Sequence, residues 1–246
     1  MDVPQDALTA FAVRLREWGW VSDLLVGGSL ATGDYRRGAS DLDLAAVVDG
    51  PVTPARLDLL VALHRELDDG VAHGLDLGCV YVDGTALAQV GAAHPTWTHG
   101  QLVRRHLSGI ARAELLRHGY ARFGRAPTAL LAPMTADDVR AAARAELTGY
   151  WTWALRRPWV WFEPTLADLS LTTMARVRHT LRTGELVTKS AALGEIVPPW
   201  LAERSAARRA GNPVDGRRLR IAVLAWNDAR RTLLAARSTT RPAPPA

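Results

Sequence analysis

Apolar residues recur along this chain at two periods, and the switches between them mark out its elements. Leu8, Phe11, Ala12 and Leu15 fall at helical spacing and predict an amphipathic helix over residues 5–18. Apolar runs predict strands at 21–27, 41–48 and 75–82, the last reading LDLGCVYV. Between the second and third, PARLDLLVALHREL returns to the helical period, with a proline near its start. Residues 83–100, rich in Gly, Ala and Thr, read as a loop, 107–118 as a helix and Tyr120–Phe123 as a short closing strand. This order predicts a small mixed sheet backed by helices, an α+β or α/β module.

The pattern then changes for good. GRAPTALLAP, residues 124–133, carries two prolines and is the predicted boundary, dividing the chain into domains at 1–127 and 128–236. Beyond it every segment reads as helix. Thr135 followed by Asp138 is a capping box that opens a helix expected to run to about residue 156. Further helices are expected at 164–183, with Gly184 as the stop, at 199–209 and at 215–236. The ending STTRPAPPA predicts a disordered tail over 237–246.

Composition narrows the class without deciding it. A chain of 246 residues with 48% hydrophobic content can bury a sizeable core. The first residues, MDVPQDAL, hold acids where a secretion signal holds positive charge, and no stretch approaches a membrane span, so a cytoplasmic location with no membrane partner is expected. The single cysteine, Cys79, excludes an intramolecular disulfide and sits in an apolar run that suits a small core residue. The net charge of +5 is uneven: residues 1–127 hold more acids than bases, residues 128–246 the reverse. An acidic half suits metal and a basic half phosphate, whereas solvated arginine-rich helices would look the same. Nucleic acid is a possible partner but not the favoured one. The seven histidines show no zinc-binding spacing.

Chemistry concentrates in residues 26–44, VGGSLATGDYRRGASDLDL. In a strand the side chains at i and i+2 share a face, so Asp41 and Asp43 should point together while Leu42 and Leu44 enter the core. Carboxylate oxygens are the preferred ligands of Mg²⁺, and two such ions about 4 Å apart clamp the attacking and leaving oxygens of an in-line phosphoryl displacement. If Val26 ends a strand and Ser29 opens a helix, Gly27 and Gly28 let the backbone approach a triphosphate. Ser29 and Ser40 add hydroxyl donors, and Arg36 and Arg37 could reach the phosphates or remain solvated. The ordered pair of GGS and DLDL, eleven residues apart, implies nucleotidyl transfer.

With this hairpin and a helical second half, the chain resembles the aminoglycoside nucleotidyltransferases, in particular the streptomycin/spectinomycin adenylyltransferases. The resemblance covers about residues 20–200. It rests on Gly28-Ser29 through Asp41 and Asp43, on Leu75-Asp76-Leu77, and on LTTMARVRHTLRTGELVTK at 171–189. It implies a polymerase-β-like nucleotidyltransferase domain with a small mixed sheet, followed by an all-α helical-bundle domain. It further implies Asp41 and Asp43 as metal ligands, Gly28, Ser29 and Ser40 around the triphosphate, and Arg176 and Lys189 on its phosphates. Asp76 takes the place of the family's third acid, the general base, which is usually Glu and so one methylene longer. The cofactor is then Mg²⁺, with two ions expected, and the co-substrate is ATP.

Lys189 is the only lysine among the 30 basic residues, which suits a compact point charge for phosphate. On the acceptor side, Trp97 and His99 form one candidate group, and Trp161, Glu163 and Asp168 form another, because flat rings beside carboxylates suit a cationic sugar-like ligand. The expectation is transfer of AMP from ATP to a hydroxyl of an aminoglycoside-like small molecule. Two alternatives stay open: a nucleotidyltransferase that modifies a tRNA or protein, and a catalytically silent nucleotide-binding module.

Overall fold

A computed structural model describes residues 3–214 and 216–238. The chain separates into two compact units, Met1–Met134 and Thr135–Ala246. Most of the predicted tail, 239–246, lies outside the described residues; Arg237 and Ser238 close the last helix. Among the described residues no helix is long and apolar enough to cross a membrane.

The first unit is built on one sheet. Its elements in chain order are α1 (Val3–Glu17), β1 (Val21–Val26), a single turn α2 (Gly28–Ala31), β2 (Leu42–Val48), α3 (Pro54–Asp69), β3 (Leu77–Asp83), β4 (Ala93–Thr98), β5 (Gln101–His106), α4 (Gly109–His118), β6 (Tyr120–Phe123) and a short α5 (Pro127–Leu130). The spatial order is β5-β4-β3-β2-β1-β6. Only β2 and β3 run parallel, joined through α3, so the sheet is mixed.

Alternation along the strands sorts the side chains onto two faces. Leu42, Leu44, Ala46 and Val48 pack with Cys79 and Tyr81 under Phe11 and Leu15 of α1 and Leu60 and Leu63 of α3. Each fully buried Leu or Phe there contributes about 1.5–3 kcal/mol. The opposite face, with Leu25, Ala45, Val80 and Val82, is covered by Leu115 of α4 together with Leu107 and Leu131. Thr53 caps α3 by accepting from the Arg56 N–H, and Ser108 caps α4 by accepting from the Ala111 N–H at 3.1 Å.

One expectation fails here. The predicted loop at 83–100 contains β4, which pairs with β5 around a two-residue turn at His99-Gly100, closed by Thr98 opposite Gln101. Both turn residues have positive φ, 48° and 72°, as a two-residue hairpin matched to strand twist requires.

The second unit is helical: α6 (Ala136–Glu146), α7 (Thr152–Leu155), α8 (Pro164–Thr183), α9 (Pro199–Arg209) and α10 (Arg218–Ser238). The Thr135–Asp138 capping box opens α6. The helix expected to continue to 156 instead breaks at Thr148-Gly149, where Gly149 has φ 65°. Gly184 stops α8 in the left-handed region, with φ 79°. Met174, Ala175 and Leu171 of α8 form the core with Ala225 and Ala229 of α10, and Arg178 ties the two helices by donating to both oxygens of Asp228 at 2.9 Å.

Candidate active site

Several chain reversals meet at one end of the sheet. The parallel strands β2 and β3 both begin there, the antiparallel β1 and β4 end there, and the register sets Asp43 beside Gly78 and Val26 beside Leu44. Leaving β1, the Gly27 N–H donates to the Asp43 carbonyl at 2.9 Å. Gly28 follows at φ 56°, and a Cβ added to it would lie 2.0 Å from Asp43 Oδ2. Only glycine lets the backbone pass the carboxylate this closely. Asp41 and Asp43 share the α4 side of the sheet, while Leu42 and Leu44 are buried on the other. On the neighbouring strand, the Leu42 N–H donates to the Asp76 carbonyl at 3.2 Å, which sets the third acid beside the first two.

These residues line a cleft of about 270 Å³ in the first unit. Gly28, Asp41, Asp43, Asp76 and His99 all open onto it. So do Arg105, His106 and Glu114, which sequence reasoning missed; the first two lie in β5, a stretch to which it assigns no element. The signal that could have found the hairpin is the turn pair His99-Gly100 after the apolar-containing run that forms β4.

The other predicted residues of this unit are placed differently. Ser29 follows Gly28, with its hydroxyl buried and without a hydrogen-bond partner. Ser40 is buried and accepts from the Arg36 N–H at 3.0 Å, folding the 36–40 loop on itself, while Arg36 and Arg37 are exposed. The α2 turn is only four residues long, too short to present the expected helix dipole. Trp97 is 2% exposed and stacks on His64, with ring centroids 4.9 Å apart, and its indole N–H donates to Asp68 at 3.0 Å. Its ring is largely packed, and the residue still lines the cleft beside His99. The Cys79 thiol is buried, which pushes its pKa up to about 12.

The second unit holds the remaining candidates. Arg176 Nε donates to the Val187 carbonyl at 2.9 Å, tying α8 to the stretch that carries the half-buried Lys189. In the expected acceptor group each residue has a partner within the chain. Trp161 is 1% exposed and donates to the Ala154 carbonyl; Glu163 accepts from the Thr165 N–H at the start of α8. Asp168 pairs with Arg204 at 2.5 Å and Arg208 at 2.8 Å. A carboxylate and an indole committed to such partners have little left for a ligand.

Residues 11–81, the stretch that runs from α1 through β3, match a family described as the nucleotidyltransferase domain. The first unit carries a nucleotidyltransferase domain. The activity class is nucleotidyl transfer. No curated protein matches the sequence. Among solved structures, the fold is similar to that of spectinomycin adenyltransferase AAD(9) from Enterococcus faecialis with ATP and spectinomycin. The TM-score is 0.73, with 93% of this chain and 98% of that chain covered at 15% identity. The likeness establishes a mixed α+β fold of the same kind, a sheet-based unit followed by a helical part.

Among the described residues, no three His, Cys, Asp or Glu side chains are arranged to hold a metal ion by themselves. Mg²⁺ takes one or two carboxylates from a protein and completes its shell with substrate phosphates and water. The donor set also fits: Asp41 and Asp43 are hard oxygen ligands beside a backbone cradle that a Cβ would fill.

Proposed function

We propose that this nucleotidyltransferase moves AMP from ATP to a hydroxyl of a small, amine-bearing, polyhydroxylated molecule of the aminoglycoside class. The observation that carries the reading is the convergence of Asp41, Asp43 and Asp76 on one small cleft beside Gly28. Asp41 and Asp43 would hold Mg²⁺, which when bound offsets negative charge on the triphosphate. The Gly27-Gly28 backbone lies where phosphate oxygens can approach without a side chain in the way, and Ser29 Oγ would gain the acceptor it lacks. The acceptor oxygen attacks the α-phosphorus, pyrophosphate leaves with the electrons of the broken P–O bond, and the proton of the hydroxyl is taken up on the side of the cleft that carries Asp76. Catalysis is then largely positioning and charge stabilisation.

Several observations support a small cationic acceptor. The cleft is at the lower end of the size of small-molecule sites, its acids outnumber its single arginine, and the similar structure was solved with ATP and spectinomycin. The same reading assigns Lys189 and Arg176 to phosphate, so Lys189→Ala should raise KM for ATP. The test is incubation of the protein and Mg²⁺ with ATP labelled at the α-phosphorus, with spectinomycin, streptomycin and cell extract in separate arms. Label in a small molecule is expected. Label entering only macromolecules would overturn the acceptor class, and none in any arm would overturn the reaction.

A further inference from the structure

Two residues with left-handed backbone face one another in the cleft. Asp76, at φ 47°, leads into β3, and His99, at φ 48°, is the first central residue of the β4–β5 turn. These are the only described residues other than glycine with positive φ. The conformation costs a residue with a Cβ about 1–2 kcal/mol, and Asn, Asp or Gly would make the turn at position 99 more cheaply than His. The turn nonetheless holds an imidazole whose Nδ1 lies 3.7 Å from Asp76 Oδ1. Both side chains remain accessible, at 61% for His99 and 66% for Asp76, and both line the cleft that holds Asp41 and Asp43.

The orientation of the ring decides what the pair can do. With Nδ1 toward a carboxylate, the opposite nitrogen, Nε2, faces away from it, which is how a carboxylate holds a histidine for proton transfer in hydrolytic triads. The gap is longer than a hydrogen bond, as such contacts often are before substrate binds.

Resting on the adenylyl-transfer reading above, we propose that His99 is the catalytic base and Asp76 its positioning residue. His99 Nε2 takes the proton of the acceptor hydroxyl as the hydroxyl oxygen bonds to the α-phosphorus. The bond from that phosphorus to the bridging oxygen breaks, and pyrophosphate leaves with the electron pair. The imidazolium, stabilised by Asp76, passes its proton to water, so the products are the AMP ester, pyrophosphate and one proton. The other charged groups around the pair are Asp41, just before β2, and Asp43 of β2, Arg105 and His106 of β5 and Glu114 of α4, with Asp68 of α3 in electrostatic reach of Asp76.

Two measurements test the dyad. Long-range ¹H–¹⁵N NMR of the imidazoles above pH 8 should show His99 protonated on Nδ1, reverting to Nε2 in Asp76→Asn; Nε2–H in the unsubstituted protein would overturn the pairing. His99→Gly and His99→Asn suit the positive φ and should fold. With labelled ATP, Mg²⁺ and spectinomycin, or whichever acceptor the panel above labels, both should lose about 10²-fold or more in kcat with KM for ATP unchanged. They should also lose the acid limb of the pH profile. Added imidazole should restore turnover to His99→Gly, which a merely structural role would not allow. A His99→Gly variant within threefold of the starting activity, beside an inactive Asp76→Asn, would make Asp76 itself the base and overturn the proposal while leaving adenylyl transfer intact. Absence of transfer to every acceptor would remove the adenylyl-transfer reading and the catalytic role of His99 with it.

Discussion

The sheet end of the first unit and the aromatic turn of the second are built from the same kinds of residue and use them in opposite ways. Around Asp41, Asp43 and Asp76 the carboxylates are left on an open cleft. Around Trp161, Glu163 and Asp168 each group is met by the chain itself: a carbonyl, a helix N-terminus, and a pair of arginines. What separates the two is whether the groups open onto a cleft or are turned into the packing. Residue type and crowding in the sequence do not report that.

The sharpest way to break this comparison is Asp168→Ala. It strips two arginines of their shared carboxylate, and the Arg204 side chain is only 9% exposed. Removing the carboxylate that so buried a guanidinium faces should cost about 3 kcal/mol, read as a fall in the urea midpoint of the second unit, with acceptor KM unchanged. An acceptor ligand at Asp168 would instead show raised acceptor KM and unchanged stability.

A smaller effect is expected on the open side. Gly28→Ala puts a Cβ against the Asp43 carboxylate at a φ that alanine resists, and displacing that group by about 1 Å should lower kcat about 10²-fold. Gly27→Ala meets the end of the Leu115 side chain at 3.2 Å and the Asp43 carbonyl only at an ordinary contact distance of 3.7 Å, and should be milder. Equal losses in the two variants, measured by label transfer, would detach the effect from Asp43.

The smallest expected change sharpens the contrast inside the first unit. His64 is a consumed polar group, hydrogen-bonded to Tyr81 at 2.7 Å and stacked on Trp97, and burial lowers its pKa from 6.5 to about 3. A folded pKa below the unfolded one means that the unfolded chain binds the proton first as pH falls. The stability His64 contributes is therefore complete above pH 6.5 and lost progressively as pH drops toward 3. Urea midpoints between pH 7 and pH 4 should fall, and His64→Gln should flatten that slope.

Much of this was legible in the residue pattern, and the misses share a cause. The helices opening at Pro54 and Pro164 and the strand Tyr120–Phe123 could be read because caps and periodicity agree there. Asp41 and Asp43 could be placed because a period of two admits one answer once Leu42 and Leu44 are buried. The β4–β5 hairpin escaped because β5, QLVRRH, is largely exposed and lacks an apolar face, and with it went Arg105 and His106. The break at Gly149 depends on one backbone conformation inside a run that is otherwise helical. The contacts of Trp161 and Asp168 could not be read because their partners, Ala154, Arg204 and Arg208, are fixed only by tertiary packing.

Asp41→Asn with Asp43→Asn tests the central claim most directly. Both positions lie at the cleft, so the double variant should keep its circular dichroism spectrum and thermal midpoint while transfer of labelled AMP falls about 10³-fold or more. A folded double variant that still transfers AMP within tenfold of the starting protein would show that the chemistry happens elsewhere.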